Sequence, residues 1–213
     1  MSPSTAERLP ARNFWPTVAE ADAGAFREAA RKLPNGVSIV TFGAGKDRAG
    51  LTATSVSILG AEPPMVLLCV DRLSPAYPLL ARERAFAVNV LAADQRELAE
   101  RFGAARLSPA QRFADGRWLS LPSGIPCLAD GLVAFDCELV EAIERGAQAL
   151  LMGRVRCVLN GGGSGALLSW RGAYEQVGWS NDEISRAIGV TPRAGRRRDL
   201  DCPEATPCVL RQG

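Results

Sequence analysis

Apolar positions along this chain fall mainly into short continuous runs or strict alternation, and helical spacing is confined to a few stretches. From Ala23 to Leu33 the period is helical. Phe26, Ala29, Ala30 and Leu33 share one face, Arg27, Glu28, Arg31 and Lys32 lie elsewhere, and Pro34-Asn35-Gly36 ends the element. Val37 to Phe42 and Leu51 to Leu59 read as two paired strands joined through the Gly-rich link GAGKDRAG. Met65 to Val70 is a continuous apolar run that predicts a strand buried on both faces, and Ser74 is placed at the opening of a short helix. Phe86 to Leu91 predicts another strand, Gln95 to Phe102 a helix with Leu98 and Phe102 inward, and the stretch around Gln111-Arg112-Phe113 a polar loop. Two long alternating runs, Leu132 to Glu144 and Ala149 to Leu159, predict a hairpin that turns at Gly146. Short strands with few helices argue for a mainly β fold, a β-barrel with helices over its ends, rather than alternating βαβ units.

At 213 residues with 47% hydrophobic content, the chain is sized for a single core with tails. Residues 1–22 read as an N-terminal arm, 23–178 as the folded domain, and 179–213 as a C-terminal helix followed by a mobile basic tail. Ile184 to Thr191, followed by Arg196-Arg197-Arg198, has a helix-turn-helix cadence. It is read here as a short amphipathic helix and a solvated tail, because a net charge of +2 is far from a nucleic-acid footprint. Neither a signal-peptide core nor a long uncharged apolar run occurs, so no membrane association is expected and a cytoplasmic, soluble protein is.

Two absences narrow the chemistry. The chain has no histidine, and its lysines are Lys32 and Lys46 alone. Ser-His-Asp and Cys-His nucleophiles, His-ligated metals and most amine catalysis are thereby removed, and no metal site is expected. Six cysteines do not imply a disulfide framework in a chain this long. Cys69, Cys137 and Cys157 lie inside apolar runs as small buried hydrophobes, and neither a local disulfide nor a metal site, which needs further ligands from elsewhere, is expected of Cys202 and Cys208. Chemistry in such a chain falls to a bound cofactor that the protein binds and orients.

The most informative segment is GLTATSVSILGAEPPMVLLCV at 50–70, where Thr52-Ala53-Thr54-Ser55 lies between one apolar strand pattern and the Pro63-Pro64 break before the next. Hydroxyls there can donate to phosphate oxygens, and Ala53 leaves room for a flat ring; the plain alternative is an ordinary strand. NGGGSG at 160–165 lacks the lysine and following helix of a phosphate loop and is read as a flexible link.

Taken in order, LPNGVSIVT at 33–41, the 50–70 segment, FAVNVL at 86–91, ERF and QRF between 100 and 113, IPCLADGLVAFDCEL at 125–139 and MGRV at 152–155 resemble the flavin reductase family, the small NAD(P)H:flavin oxidoreductases that supply two-component monooxygenases. The resemblance implies an FMN-binding split β-barrel of Greek-key topology, a homodimer, FMN or FAD as cofactor and NADH or NADPH as hydride donor. By matched position it assigns flavin contacts to Thr52, Ala53, Thr54 and Ser55, to Ser74 and Ala76 in the loop after the following strand, and to Asn89, Val90 and Leu91 on an adjacent strand. Arg112 is a further candidate, aimed at the charge that develops on the reduced ring. Ala76 stands where the family often has threonine.

At the hairpin turn the family commonly carries Gly-Asp-His or Gly-Thr-His, and this chain has Gly146-Ala147-Gln148. Gln148 can hydrogen-bond a carboxamide or a pyrophosphate oxygen but cannot become cationic. Asn35, Gln148, Arg171 and Tyr174 are therefore the nicotinamide-side candidates, with Arg171 supplying positive charge. The expected function is NAD(P)H-dependent flavin reduction feeding a partner monooxygenase. Two alternatives stay open: a flavin-dependent enzyme acting on another substrate, and a noncatalytic flavin-binding dimer.

Overall fold

The computed structural model describes Val18 and residues 21–178. The helix and basic tail expected over 179–213, and nearly all of the expected N-terminal arm, lie outside the described residues.

Seven strands form one antiparallel sheet. In chain order they are β2 (Ser38–Phe42), β3 (Ala49–Ala53), β4 (Val56–Ala61), β5 (Pro64–Asp71), β6 (Ala85–Val90), β9 (Val133–Arg145) and β10 (Gln148–Asn160), arranged in space as β3-β2-β6-β9-β10-β5-β4. β1 (Asn35–Gly36), β11 (Gly165–Trp170) and β12 (Ala173–Gly178) make a smaller sheet, and β7 (Trp118–Ser120) pairs with β8 (Pro126–Leu128).

The large sheet curls round a single core. Val40 and Phe42 of β2, Phe86 and Val88 of β6, Leu68 of β5 and Leu151 of β10 form one buried cluster, and Leu51 of β3 and Val56 of β4 pack against it from the two edges. Edge strands that flank the same core make the sheet barrel-like, yet no β3–β4 ladder joins them among the described residues, so the barrel is open. Only Thr54 and Ser55 separate β3 from β4 along the chain. The strand expected over Leu51 to Leu59 is thus two strands, and its break falls on the hydroxyl cluster.

A second cluster, with Ile39, Leu91, Leu98, Ala99, Phe102 and Phe113, closes one end of the sheet. Its cover is α3 (Arg96–Gly103), whose Leu98, Ala99 and Phe102 face inward as their spacing requires. Phe102 meets Phe113 edge to face at 5.0 Å between centroids. Gly50 on β3 leaves space for this packing, since a Cβ there would lie 2.8 Å from the Phe102 ring.

Four sequence expectations are corrected. The helix α1 (Ala23–Ala30) forms, N-capped by the Asp22 carboxylate, but it buries no residue, and Phe26 and Leu33 are 67% and 62% exposed. Its periodic apolar face does not reach the core. β5 alternates, with Val66, Leu68 and Val70 buried and their neighbours less so, because it has a core on one face only. Ser74 does not open a helix: α2 (Tyr77–Arg82) begins three residues later, and the Ser74 hydroxyl accepts from the Ala76 amide in the preceding turn. The polar loop contains α4 (Pro109–Arg112), fixed by a Ser108–Gln111 capping box that periodicity alone misses.

Burial pushes the Cys127 and Cys137 thiols up to about 12, with Asp136 adding to the effect. A thiol with a raised folded-state pKa contributes stability that is complete below its unfolded value and lost as pH rises toward its folded value. We expect stability to fall between pH 9 and about 12, and both thiols to resist alkylation in native protein at mildly alkaline pH. Mass mapping after iodoacetamide treatment checks this; rapid labelling of either cysteine before unfolding contradicts it.

Candidate functional site

The β3–β4 break opens one side of a cavity of about 440 Å³. Its walls bring together Thr52, Ala53, Thr54 and Ser55, then Ser74 and Ala76 from the loop after β5, Arg112 from α4 and Gln148 from the start of β10. These elements are distant in sequence and meet because β5 lies between β4 and β10. Eight of the sequence candidates therefore share one cavity.

The hydroxyls divide by role. Thr52 Oγ1 donates to Ala99 O at 2.6 Å and ties β3 to α3. Thr54 and Ser55 make no side-chain hydrogen bond among the described residues, which leaves both hydroxyls for a ligand. Arg112 is held by its two terminal nitrogens, to Gly50 O at 2.7 Å and Ala104 O at 2.7 Å, while its buried Nε has no partner among the described residues. A buried guanidinium N–H left unpaired beside a cavity is a donor that a bound acceptor satisfies. Gln148 Oε1 accepts from Cys69 Sγ at 3.3 Å, so its amide N–H₂ is the part left to meet a ligand.

The lip of the cavity is pinned across the two loops. Arg72 donates from its backbone to Ala147 O at 2.9 Å and from its side chain to Gly146 O at 2.9 Å. It also pairs with Glu144 at 2.6 Å, and Glu144 accepts from the Tyr77 hydroxyl at 2.7 Å. Gly146 supplies the positive φ, 57°, that this tight turn needs. The turn that carries Gln148 is thereby fixed to the loop that carries Ser74 and Ala76. Sequence reading missed Arg72, Tyr77 and Glu144, whose only signal was a cation beginning the Arg72–Ala76 loop opposite the hairpin turn. The hydrogen bond to Glu144 is the main cause holding the Tyr77 phenol above its ordinary range. Glu144→Gln should bring that phenol back toward about 10, as a near-ultraviolet alkaline titration compared with Tyr77→Phe would read; an unmoved titration contradicts the bridge.

A second cavity of about 760 Å³ adjoins the first, with Thr54 in the walls of both. Asn35 and Arg171 line it, which places two of the four nicotinamide-side candidates together, while Gln148 stands in the first cavity.

Four candidates are corrected. Asn89 is fully buried: its amide nitrogen donates to Ile39 O at 2.9 Å and Thr41 Oγ1 at 3.2 Å, and its oxygen accepts from Leu128 N at 2.7 Å. A side chain committed in this way joins β2, β6 and β8 and lines neither cavity. Leu91 is likewise fully buried, in the second cluster, and Val90 lines neither cavity, because β6 runs through the middle of the sheet. Tyr174 packs against that second cluster and lines neither cavity, with its phenol raised by burial and by Glu100.

Among the described residues no group of His, Cys, Asp or Glu can hold a metal ion, and no helix is long and apolar enough to cross a membrane. The donor set of the first cavity fits a flavin instead: two unengaged hydroxyls and an arginine N–H for anionic oxygens, a glutamine amide, and small Ala53 and Ala76 where a ring needs room.

A family model described as a flavin reductase like domain matches residues 30–178. The chain is 39% identical over 183 residues to the FMN reductase (NADH) RutF of Methylorubrum extorquens strain DM4, covering 82% of this chain and 89% of that protein. Among solved structures, the NADH:FAD oxidoreductase SgcE6 of Streptomyces globisporus, in complex with NAD and FAD fragments, matches with a TM-score of 0.68 at 25% identity, over 79% of this chain and 99% of that one. BorF, the flavin reductase component of a bacterial two-component tryptophan halogenase, matches with a TM-score of 0.68 at 27% identity, over 74% and 99%.

Proposed function

Because this chain belongs to the flavin reductase family, we propose that it catalyses hydride transfer from NADH or NADPH to FMN or FAD and hands the reduced flavin to a separate oxygenase component. The observation that carries the reading is the shared cavity, where Thr54, Ser55, Arg112 and Gln148 present unengaged donors around one small-residue floor. Flavin, when bound, supplies the electron-accepting ring, so the protein needs no nucleophile, metal or histidine of its own.

The residues divide the remaining work. Thr54 and Ser55 hold the phosphate-bearing side chain, with Ser74 and Ala76 lining the opposite wall. Arg112 Nε, unpaired beside the cavity, would donate to an acceptor of the bound flavin and so favour the form that carries added negative charge. Gln148, kept in place by the Arg72–Glu144–Tyr77 bridge, orients the donor carboxamide without adding charge. Asn35 and Arg171 meet the rest of the donor in the adjoining cavity. Placement of the two rings at reacting distance, with water displaced, is the catalytic contribution asked of the chain.

A homodimer accompanies this reading. β4 is a sheet edge, and its Ile58 and Leu59 are 67% and 53% exposed, an apolar edge that a second copy would cover. Light scattering after gel filtration tests that. The partner taking the flavin is proposed to be a flavin-dependent monooxygenase, and the location the cytoplasm, in keeping with Cys69, Cys127 and Cys137 standing as thiols.

Steady-state nicotinamide oxidation in air tests the function. NADH or NADPH consumption that requires added FMN or FAD, and that scales with protein, is the expected result. Flavin binding without any consumption would transfer the reading to a flavoenzyme with another substrate.

A further inference from the structure

Cys69 stands where two walls of the cavity at the β3–β4 break meet. Its backbone N–H donates to Ser55 O at 3.0 Å and so holds the second residue of the break against β5. Its side chain lines the same cavity and donates from Sγ to Gln148 Oε1 at 3.3 Å. The register explains this meeting. β5 and β10 pair with Gln148 opposite Asp71 and Leu150 opposite Cys69, which makes Cys69 and Gln148 diagonal neighbours on one face of the ladder.

The direction of the bond decides what Gln148 presents to a ligand. A thiol hydrogen is a donor and thiol sulfur a poor acceptor, so Cys69 selects the amide oxygen and leaves the N–H₂ free. Among the described residues no other group bonds the Gln148 side chain, and Asp71 opposite it accepts instead from Leu73 N at 2.9 Å. The Arg72 bridge does not replace this contact, because Arg72 holds the turn through the carbonyls of Gly146 and Ala147. A glutamine side chain at an exposed turn has several rotamers and two faces to its amide; without the thiol it would meet a ligand as donor or acceptor alike. Arg112 marks the cavity independently as a place for a ligand, since it shares the wall with a buried Nε that has no partner among the described residues.

We propose that Cys69 is a positioning residue of the hydride-transfer site, its thiol holding the Gln148 amide so that Gln148 meets the hydride donor through N–H₂ alone. The proposal rests on the flavin-reductase reading for the ligand, whose carboxamide oxygen is the acceptor that such a donor suits. At the position where the family commonly carries histidine, a second side chain thus supplies the fixed direction that a lone glutamine lacks. Thiols are weak donors, so the effect is a few-fold one on orientation and not a requirement for folding.

The test uses the full-length chain with saturating FMN. Cys69→Ala removes the donor and Cys69→Ser keeps one; Cys69→Val, suited to a strand, takes the place of Cys69→Ala should that variant not fold. Without the donor, KM for NADH, or for NADPH if that is the nucleotide oxidised, should rise roughly fivefold, while Tm and FMN affinity stay close to wild type. Serine should recover most of the loss. In a Gln148→Ala background, removal of the thiol should change nothing further, because its effect passes through the amide. A second readout needs no turnover: the side-chain carbonyl carbon of Gln148, followed by NMR, should shift when the thiol is removed and return toward its wild-type position with serine. An unchanged KM in a folded donor-free variant, a loss as large with serine as with alanine, or a full effect persisting in the Gln148→Ala background overturns the proposal. If wild type oxidises neither nucleotide, the reductase reading fails by itself. A carbonyl shift that follows the thiol would then still uphold the Cys69–Gln148 latch, and one indifferent to it would sink the latch as well.

Discussion

Replacing Thr54 by valine and Ser55 by alanine together should raise the dissociation constant for FMN roughly 100-fold and leave the thermal midpoint nearly unchanged. Among the described residues neither hydroxyl has a protein partner, so their removal orphans no group there. Valine replaces threonine in shape without its hydroxyl. In the proposed complex each hydroxyl would donate to a charged oxygen, and such bonds are worth about 1.5 kcal/mol or more apiece; two of them amount to about 3 kcal/mol, or two powers of ten. Quenching of FMN fluorescence by titrated protein gives the number. An affinity within twofold of wild type would remove these residues from the flavin site.

Asn89→Leu should have the opposite signature. The substitution conserves approximate volume but leaves the buried Leu128 amide without its acceptor and breaks the links to Ile39 O and Thr41 Oγ1. Stranding a buried backbone amide costs about 1–3 kcal/mol, and loss of the remaining bonds brings the total to about 3 kcal/mol. For a domain of this size that is a fall of roughly 10 °C in Tm. Protein that remains folded should bind FMN as wild type does, because Asn89 faces the core. A loss of flavin affinity at unchanged Tm would return Asn89 to the cavity wall.

Thr54 and Asn89 together show what the sequence can and cannot specify. The hydroxyl cluster was legible as a run of small residues ahead of the Pro-Pro break, but the strand break at Thr54-Ser55 within it was not, because Leu51 to Leu59 reads locally as one strand. Asn89 was legible as a polar residue in an apolar strand, but its direction depends on β6 lying between β2 and β9, which no local pattern reveals. Gln148 reached the cavity at the β3–β4 break because β5 and β10 pair in the register Gln148 to Asp71, a long-range fact. The same pairing sets the Arg72–Glu144–Tyr77 bridge, built from three residues that individually read as surface charge and core aromatic. The helical period of residues 23–33 was read correctly as a helix, yet periodicity gives a face and not its partner: α1 is fastened at its end to the β11–β12 turn and keeps Phe26 in solvent. That placement, invisible in the chain, is what brings Arg27 and Arg31 into the cavity wall that Arg171 shares.

The central claim is hydride transfer to a flavin held in the β3–β4 cavity, and anaerobic rapid mixing tests it most directly. Protein with bound FMN is mixed with NADH, or NADPH if NADH is inert, and the flavin and nicotinamide bands are followed together. The account predicts that both bands bleach at one rate and in equal amount, faster than free FMN with the same donor, and more slowly when the transferred hydrogen is deuterium. Bleaching no faster than that of free flavin, despite demonstrated binding, would contradict it.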